Sequence, residues 1–428
     1  MSLRRLVKKI IPSGLFRRVE PWGHLAEAFV FNLINGFPGR GLNVIGVTGT
    51  NGKTSTAFMI HKMLQEAGYK TGLMTTVAWG AGDDIKEQVH HYTNVPVPEF
   101  MKRLKYMRAA KVDWVVMEIT SQALAQNRAW GVPFSVAVMT NVTHEHLDYH
   151  KTFERYVGAK RKLFRLANRN RKGLKTGVIN AEDSSAQKFA GDIKNPILYG
   201  VGKGDLRASD VQLSPSGVRY TARYEGKAYQ IECHMPGSFN VYNSLAAVSV
   251  GIRLGLTDKQ IEAGIAALAG VKGRMTRIDE GQDFDVIVDY AHTPDSFEKL
   301  FKDLKPVVKG KLIVMFGSAG RRDEAKRAVQ GEIAGKYADE VVITEEDDRD
   351  IDGVEIMDEI AKGAEKAGKV RDKNLFLVHD RTKAINFTVK RAGKADTVLL
   401  LGKGHEKTIE RANGENPWDE IGIARAAL

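Results

Sequence analysis

Eight consecutive residues, Thr48-Gly49-Thr50-Asn51-Gly52-Lys53-Thr54-Ser55, carry the densest chemical signal in this sequence. They lie between a short apolar run and a stretch of helical periodicity. Glycines there let the backbone close around a phosphate, so that N–H groups and a helix N-terminus point at its oxygens. Lys53 is placed to reach the outer phosphates of a nucleotide, and the Thr54 hydroxyl to bind Mg²⁺. The usual spacing of such loops wants glycine where this chain has Val47, and Gly46 lies one position further out. The plain alternative is a glycine turn joining two elements, but Gly-Lys-Thr in a strand–loop–helix setting favours phosphate.

Acids and imidazoles follow at spacings that suit a metal. Glu118 closes an apolar run, Val112–Met117, at the carboxyl edge where open α/β sheets bind ligands. A carboxylate there suits Mg²⁺, a hard cation that takes oxygen ligands. On its own it reads as a solvated strand end sooner than as a ligand. The segment Thr140–His150 packs His144, His146 and His150 with Glu145 and Asp148. That density is hard to assign to core packing, since buried imidazoles need partners. A zinc site is the generic alternative, yet the chain has one cysteine, Cys233, and no helical His-Glu-x-x-His pattern.

The elements that must hold these residues alternate in type. Val44–Val47 reads as a buried strand and Thr54–Ala67 as a helix. Further strands are expected at Val112–Met117, Val136–Thr140 and Gly177–Asn180, separated by helical stretches, as in a mostly parallel sheet. Residues 206–231 alternate at period two and read as a small antiparallel excursion. From Gly273 a second series begins, with strands at Asp285–Asp289, Lys311–Phe316, Glu340–Thr344, Leu375–Val378 and Thr397–Leu401. Helices such as Asp323–Tyr337 and Asp380–Ala392 lie between them. The fold class is therefore α/β: a central parallel-sheet domain of the P-loop ATPase type, then a Rossmann-like doubly wound domain. The expected division is a short helical segment at 1–40, a central domain at 41–272 and a C-terminal domain at 273–428.

The lead segment has its own pattern. Leu3, Leu6, Val7, Ile10 and Ile11 recur at helical spacing between Arg4, Arg5, Lys8 and Lys9. After Pro12 and Pro21 a second apolar patch runs from Leu25 to Ile34. A helix packed on the body is one reading. A peripheral membrane contact through residues 1–40 is the other, because a basic amphipathic segment can lie in the lipid interface.

With 428 residues, two or three domains are expected, and 43% hydrophobic with 27% charged residues is ordinary for a globular protein. No apolar run reaches the ~20 residues of a membrane span, and the start lacks a signal-peptide pattern. A cytoplasmic, reducing location is expected. The net charge of +12 suits a nucleotide and a carboxylated substrate. No nucleic-acid module is evident, so no nucleic-acid partner is expected.

Taken as a set, these residues resemble a known family. Thr48–Ser55, Glu118, Thr140–His150 and Tyr156-Val157-Gly158-Ala159-Lys160 resemble the central domain of Mur ligases, in order and at suitable spacing. Gly237–Ala247 looks like their adenine-side segment. Gly273-Arg274-Met275 and Asp289–Asp295 resemble the start of the C-terminal domain in the MurE branch. Phe316–Arg327 and Leu401–Glu406 extend the likeness, which covers roughly residues 43–428.

The resemblance implies three domains with ATP held between the second and third, and Mg²⁺ as the metal. It implies an ATP-dependent ligase that phosphorylates a muramyl-peptide carboxylate and lets an amino acid displace phosphate. That reaction belongs to peptidoglycan precursor synthesis, and so to cell-wall biogenesis, cell shape and division. By the same likeness Lys53, Lys160 and His146 are catalytic, and Gly49, Thr50, Asn51, Gly52, Lys53, Thr54, Ser55, Asn243, Arg274 and Asp289 hold the nucleotide. Thr54, Glu118, His146 and a carbamylated Lys160 hold metal. Thr93, Asn94, Gln126 and Arg128 face the muramyl peptide, and Arg322, Arg349, Gly402 and Glu406 face the amino acid. A monomer is expected.

Two departures stand out. MurE proteins carry an N-terminal domain of about one hundred residues for the uridine diphosphate, whereas some forty residues precede the phosphate loop here. The family's Asp-Asn-Pro-Arg is replaced within Thr344-Glu345-Glu346-Asp347-Asp348-Arg349, with only Arg349 cleanly kept. Arg349 favours meso-diaminopimelate, whose distal carboxylate suits a guanidinium fork. Asp347 and Asp348, were they to pair with Arg349, would favour lysine. Other ligases of the folylpolyglutamate superfamily, and a non-catalytic nucleotide-binding scaffold at a membrane, are the remaining readings.

Overall fold

The structure, a computed structural model, describes residues 13–88, 93–143, 145–214, 217–321 and 323–428. The basic run before Pro12, His144 and Arg322 therefore lie outside the described residues. Two compact units result: one comprises the chain through Val211 with Tyr220–Glu232 and Val241–Leu268, the other Gln212–Arg219, Cys233–Asn240 and Ala269–Leu428.

One sheet, most of it in the first unit, has eleven strands: β1 (Asn43–Thr48), β2 (Thr71–Met74), β3 (Ala78–Ala81), β4 (Asp84–Glu87), β5 (Trp114–Glu118), β6 (Phe134–Met139), β7 (Thr176–Asn180), β8 (Asn195–Gly200), β9 (Leu206–Ser214), β10 (Gly217–Tyr224) and β11 (Lys227–Cys233). They hydrogen-bond in the order β11-β10-β9-β8-β7-β6-β1-β5-β2-β3-β4. Strands β9 through β2 along that row run parallel. Central strands β1, β5 and β6 are buried almost throughout, as strands covered on both faces must be, which explains their continuous apolar runs. From β1 the chain proceeds to β2 on one side, and from β6 to β7 on the other. A crevice therefore opens between the carboxyl ends of β1 and β6, and the glycine-rich loop sits there.

In the second unit β12 (Thr276–Ile278), β13 (Asp285–Asp289), β14 (Leu312–Phe316), β15 (Glu340–Ile343), β16 (Leu375–Leu377) and β17 (Thr397–Leu401) form a sheet ordered β12-β13-β17-β14-β15-β16. Only β12 is antiparallel. Alternate residues of β14 serve two cores, Val314 and Phe316 on one face, Ile313 and Met315 on the other. This is the doubly wound arrangement expected. A hairpin of β18 (Thr408–Arg411) and β19 (Gly414–Pro417) follows.

Three features go beyond that reading. The helix Ser13–Ile34 runs through Pro21. A proline interior to a helix forfeits one backbone bond. Contacts with the body hold this helix on either side of that gap: Asn127 Nδ2 donates to the Pro21 carbonyl, and Asn32 Nδ2 to that of Trp130. Strands β9–β11, the excursion expected at 206–231, continue the edge of the large sheet. The turn-rich strands β2, β3 and β4 were not anticipated. Among the described residues no helix is long and apolar enough to cross a membrane.

Candidate active site

The loop between β1 and the helix Lys53–Glu66 is shaped by two glycines. Gly49 has φ +156°, and a Cβ there would lie 1.9 Å from Thr140 Oγ1. Gly52 has φ +82°, and its Cβ would meet Asn243 Oδ1 at 2.2 Å. Only glycine fits either position. The segment after β6 clamps the loop: Thr50 N donates to Asn141 O at 2.8 Å, Asn51 N to Asn141 Oδ1 at 2.9 Å, and Thr140 Oγ1 to Asn51 O at 2.6 Å. Gly52 caps the helix without a side-chain acceptor, so the helix N-terminus faces the loop with its dipole uncompensated by a cap.

Lys53 folds back over this loop, donating to Thr50 O at 2.8 Å and standing 4.0 Å from Glu118 Oε1. Glu118, the last residue of β5, is buried. Its Oε2 accepts from Thr54 Oγ1 at 2.9 Å, from Thr76 Oγ1 at 3.0 Å and from Thr76 N at 3.1 Å. These are hard oxygen donors gathered beside a phosphate-type loop, a set that fits Mg²⁺ and offers nothing soft to zinc. Thr54 and Glu118 are the groups such an ion would take. Thr93 bonds Thr76 at 2.8 Å, and Asn94 donates to the Glu118 carbonyl at 2.8 Å, so both belong to the cluster. Arg128 donates to Asn94 O at 2.7 Å, whereas Gln126 turns to Glu20 at 3.4 Å.

Lys160 lies on the helix Phe153–Arg169, in the buried stripe Tyr156, Val157, Lys160, Leu163, Phe164 and Ala167. Its Nζ donates to Gly49 O at 2.6 Å and sits 4.5 Å from the centre of the Tyr156 ring. Burial, then the charge of Lys53, pushes its pKa well below the usual lysine value. His146, in the left-handed region at φ 57°, has Nε2 3.7 Å from Glu145 and its ring 6.1 Å from that of Tyr156. His150 bonds Ser121 at 3.0 Å. Tyr156 also bonds Thr50 at 3.0 Å, tying loop and lysine together.

In the second unit the expected residues gather at the carboxyl edge of the sheet. Asp289 accepts from Met275 N at 2.7 Å and Ala291 N at 2.8 Å, and burial raises its pKa. The Arg274 guanidinium lies 4.6 Å above the Tyr290 ring, whose hydroxyl donates to Glu406 at 3.1 Å. Lys403, fully buried, bridges Asp347 at 2.8 Å and Glu406 at 2.5 Å. Gly402 at φ +105° makes room for Glu346, which a Cβ would meet at 2.5 Å. Burial pushes the Glu346 pKa up to about 7. Arg349 donates to Glu410 at 2.7 Å and to the Gly320 carbonyl. Asp347 and Asp348 thus do not pair with Arg349, since Lys403 takes the first and His379, at 3.1 Å, the second.

Sequence reasoning missed Thr76, Glu410 and Lys403. Thr76 follows a strand that went unread, and Glu410 reaches Arg349 from a distant hairpin. Lys403 was visible inside Gly402–Glu406 but had been given no partner.

The two domains define a class of ATP-dependent acid–amino-acid ligases. Residues 47–251 match the Mur ligase middle domain, and residues 273–404 the Mur ligase, glutamate ligase domain. The chain belongs to the Mur ligase family. It is 42% identical to a UDP-N-acetylmuramyl-tripeptide synthetase of a Roseiflexus species, over 94% of this chain and 81% of that one. It is 36% identical to a UDP-N-acetylmuramoyl-L-alanyl-D-glutamate–2,6-diaminopimelate ligase of Clostridium acetobutylicum, over 94% and 80% respectively. A solved structure of a ligase of that second name superposes with a TM-score of 0.65 at 27% identity, covering 96% of this chain and 82% of the other. The fold alone is shared with folylpolyglutamate synthase of Mycobacterium tuberculosis, at TM-score 0.70 and 18% identity, covering 88% and 92%.

Proposed function

We propose that this ligase joins meso-diaminopimelate to the free carboxylate of a muramyl dipeptide, at the cost of ATP, in peptidoglycan precursor synthesis. The observation that carries the ligase reading is the cluster of Lys53, Thr54, Glu118 and Lys160 around one glycine loop. Gly49–Ser55 and the helix N-terminus cradle the phosphates, with Asn243, Arg274 and Asp289 as further nucleotide contacts. Thr54 and Glu118, with His146 and a carbamylated Lys160, would hold Mg²⁺, which would supply charge neutralisation at the phosphates.

An oxygen of the acceptor carboxylate attacks the γ-phosphorus, and the bond to the departing ADP breaks. Lys53 balances the negative charge that develops there. The amino group then attacks the acyl carbon, phosphate leaves with the original carboxylate oxygen, and the new amide sheds a proton. Thr93, Asn94, Gln126 and Arg128 orient the acceptor. Arg322, Arg349, Gly402 and Glu406 orient the amino acid.

The choice of diaminopimelate rests on Arg349, whose planar fork matches a distal carboxylate, and on the names of relatives such as the Clostridium enzyme. Lysine is the second reading, favoured by Glu410, which already holds that guanidinium at 2.7 Å. A ligation screen decides between them. ATP, muramyl dipeptide with and without uridine diphosphate, and competing diaminopimelate and lysine are incubated together, and products are read by mass. Diaminopimelate should dominate, with a preference that collapses in Arg349→Ala. Lysine incorporation indifferent to Arg349→Ala overturns the assignment.

A further inference from the structure

From Trp22 to Ile34 the helix Ser13–Ile34 exposes an apolar stripe, unlike an ordinary surface helix of a globular protein. Such a helix buries an apolar stripe and shows polar residues to water. Here the residues facing the body are His24, Ala28 and Asn32, all buried, with Phe31 half-buried and packed against the core. Asn32 donates to the Trp130 carbonyl at 3.0 Å, and Asn127 donates to that of Pro21 at 3.1 Å. Polar bonds thus anchor the helix alongside the apolar packing of Ala28 and Phe31. From Trp22 to Ile34 the exposed positions are Trp22, Gly23, Ala26, Phe29, Val30, Leu33 and Ile34, without one charge or hydrogen-bonding side chain besides the indole. At ~100° per residue the side chains among them span an arc of about 140°.

This stripe is unlike the rest of the surface. Twelve large hydrophobic residues are exposed among the described residues, and five of them, Trp22, Phe29, Val30, Leu33 and Ile34, fall on this helix. The other seven are scattered and none is aromatic. Isolated exposed apolar residues need no explanation, whereas a contiguous patch marks an interaction surface.

Charge identifies the occupant. Residues 1–19 of the sequence hold six basic residues, Arg4, Arg5, Lys8, Lys9, Arg17 and Arg18, and no acidic one. An apolar, Trp- and Phe-bearing face next to concentrated positive charge matches the interface of an anionic bilayer, where rings sit at headgroup level and cations meet lipid phosphates. We infer that this helix lies in the plane of an anionic lipid surface, burying Trp22, Phe29, Val30, Leu33 and Ile34, so that the ligase works at a membrane. The inference is independent of which amino acid the enzyme adds.

The test is flotation of the full chain with vesicles of phosphatidylcholine alone and with added phosphatidylglycerol. Wild type should float with the anionic vesicles, less so at high salt and hardly at all with phosphatidylcholine. Trp22→Glu/Leu33→Glu should cut the floating fraction by about tenfold or more, since two charges enter the buried face. That variant should keep wild-type amino-acid-dependent phosphate release, which shows it folded. Failure of wild type to float, equal flotation of the variant, or a dimer in solution that the variant dissociates overturns the inference.

Discussion

Lys160 is a lysine on the apolar stripe of a helix, and its burial sets its chemistry. Desolvation holds its pKa well below the ordinary 10.5, so between that lowered value and 10.5 the folded protein binds fewer protons than the unfolded chain. Stability contributed by this group therefore rises with pH across that window and is lost as pH falls. Lys160→Met removes the penalty. Its Tm near pH 7 should equal or exceed that of wild type while ligation is lost, an exchange of stability for function. Lys53→Ala should keep the fold and lose on the order of a hundredfold to a thousandfold in kcat, as for removal of one preorganised charge contact. Near-normal turnover by a folded Lys53→Ala, or a fall in Tm for Lys160→Met, contradicts these roles. The glycine loop was legible from residue types and spacing, whereas Glu118 alone read as a solvated strand end. The role of Lys160 came through family likeness, because one lysine among many carries no spacing signal of its own.

At the scale of elements, the parallel strands were legible because burial on both faces leaves continuous apolar runs, as in β1, β5 and β6. Strands β2 to β4 were not. They are four residues each, β2 and β3 are each interrupted by a glycine, and β4 is largely exposed, so neither apolar run nor alternation marks them. With β2 went Thr76, which completes the bonding of Glu118. The glycine loop makes a sharper demand. Gly52→Ala would place a methyl 2.2 Å from Asn243 Oδ1 at a φ of +82°. A loss of about 1–3 kcal/mol is expected from the strained backbone. Thermal unfolding should show it as a lower Tm, with a raised KM for ATP. An unchanged Tm and KM would mean the loop is not built this way.

For the whole molecule, two α/β units were foreseen from the restart of strand–helix alternation near Gly273, and each is built as a largely parallel sheet. The pairing of Arg349 with Glu410 was not foreseeable, since it joins a loop to a hairpin some sixty residues on. What unites the molecule is one reaction, and that reaction leaves an isotopic trace. If the acceptor carboxylate is phosphorylated before the amine attacks, one of its oxygens must depart with phosphate. Ligation with an acceptor whose carboxylate carries ¹⁸O, followed by mass analysis of the inorganic phosphate, reads this directly. One labelled oxygen in the phosphate for each amide formed is the predicted result. Unlabelled phosphate accompanying amide formation would contradict the acyl-phosphate route, and with it the assignment of Lys53, Glu118 and Lys160 as its machinery.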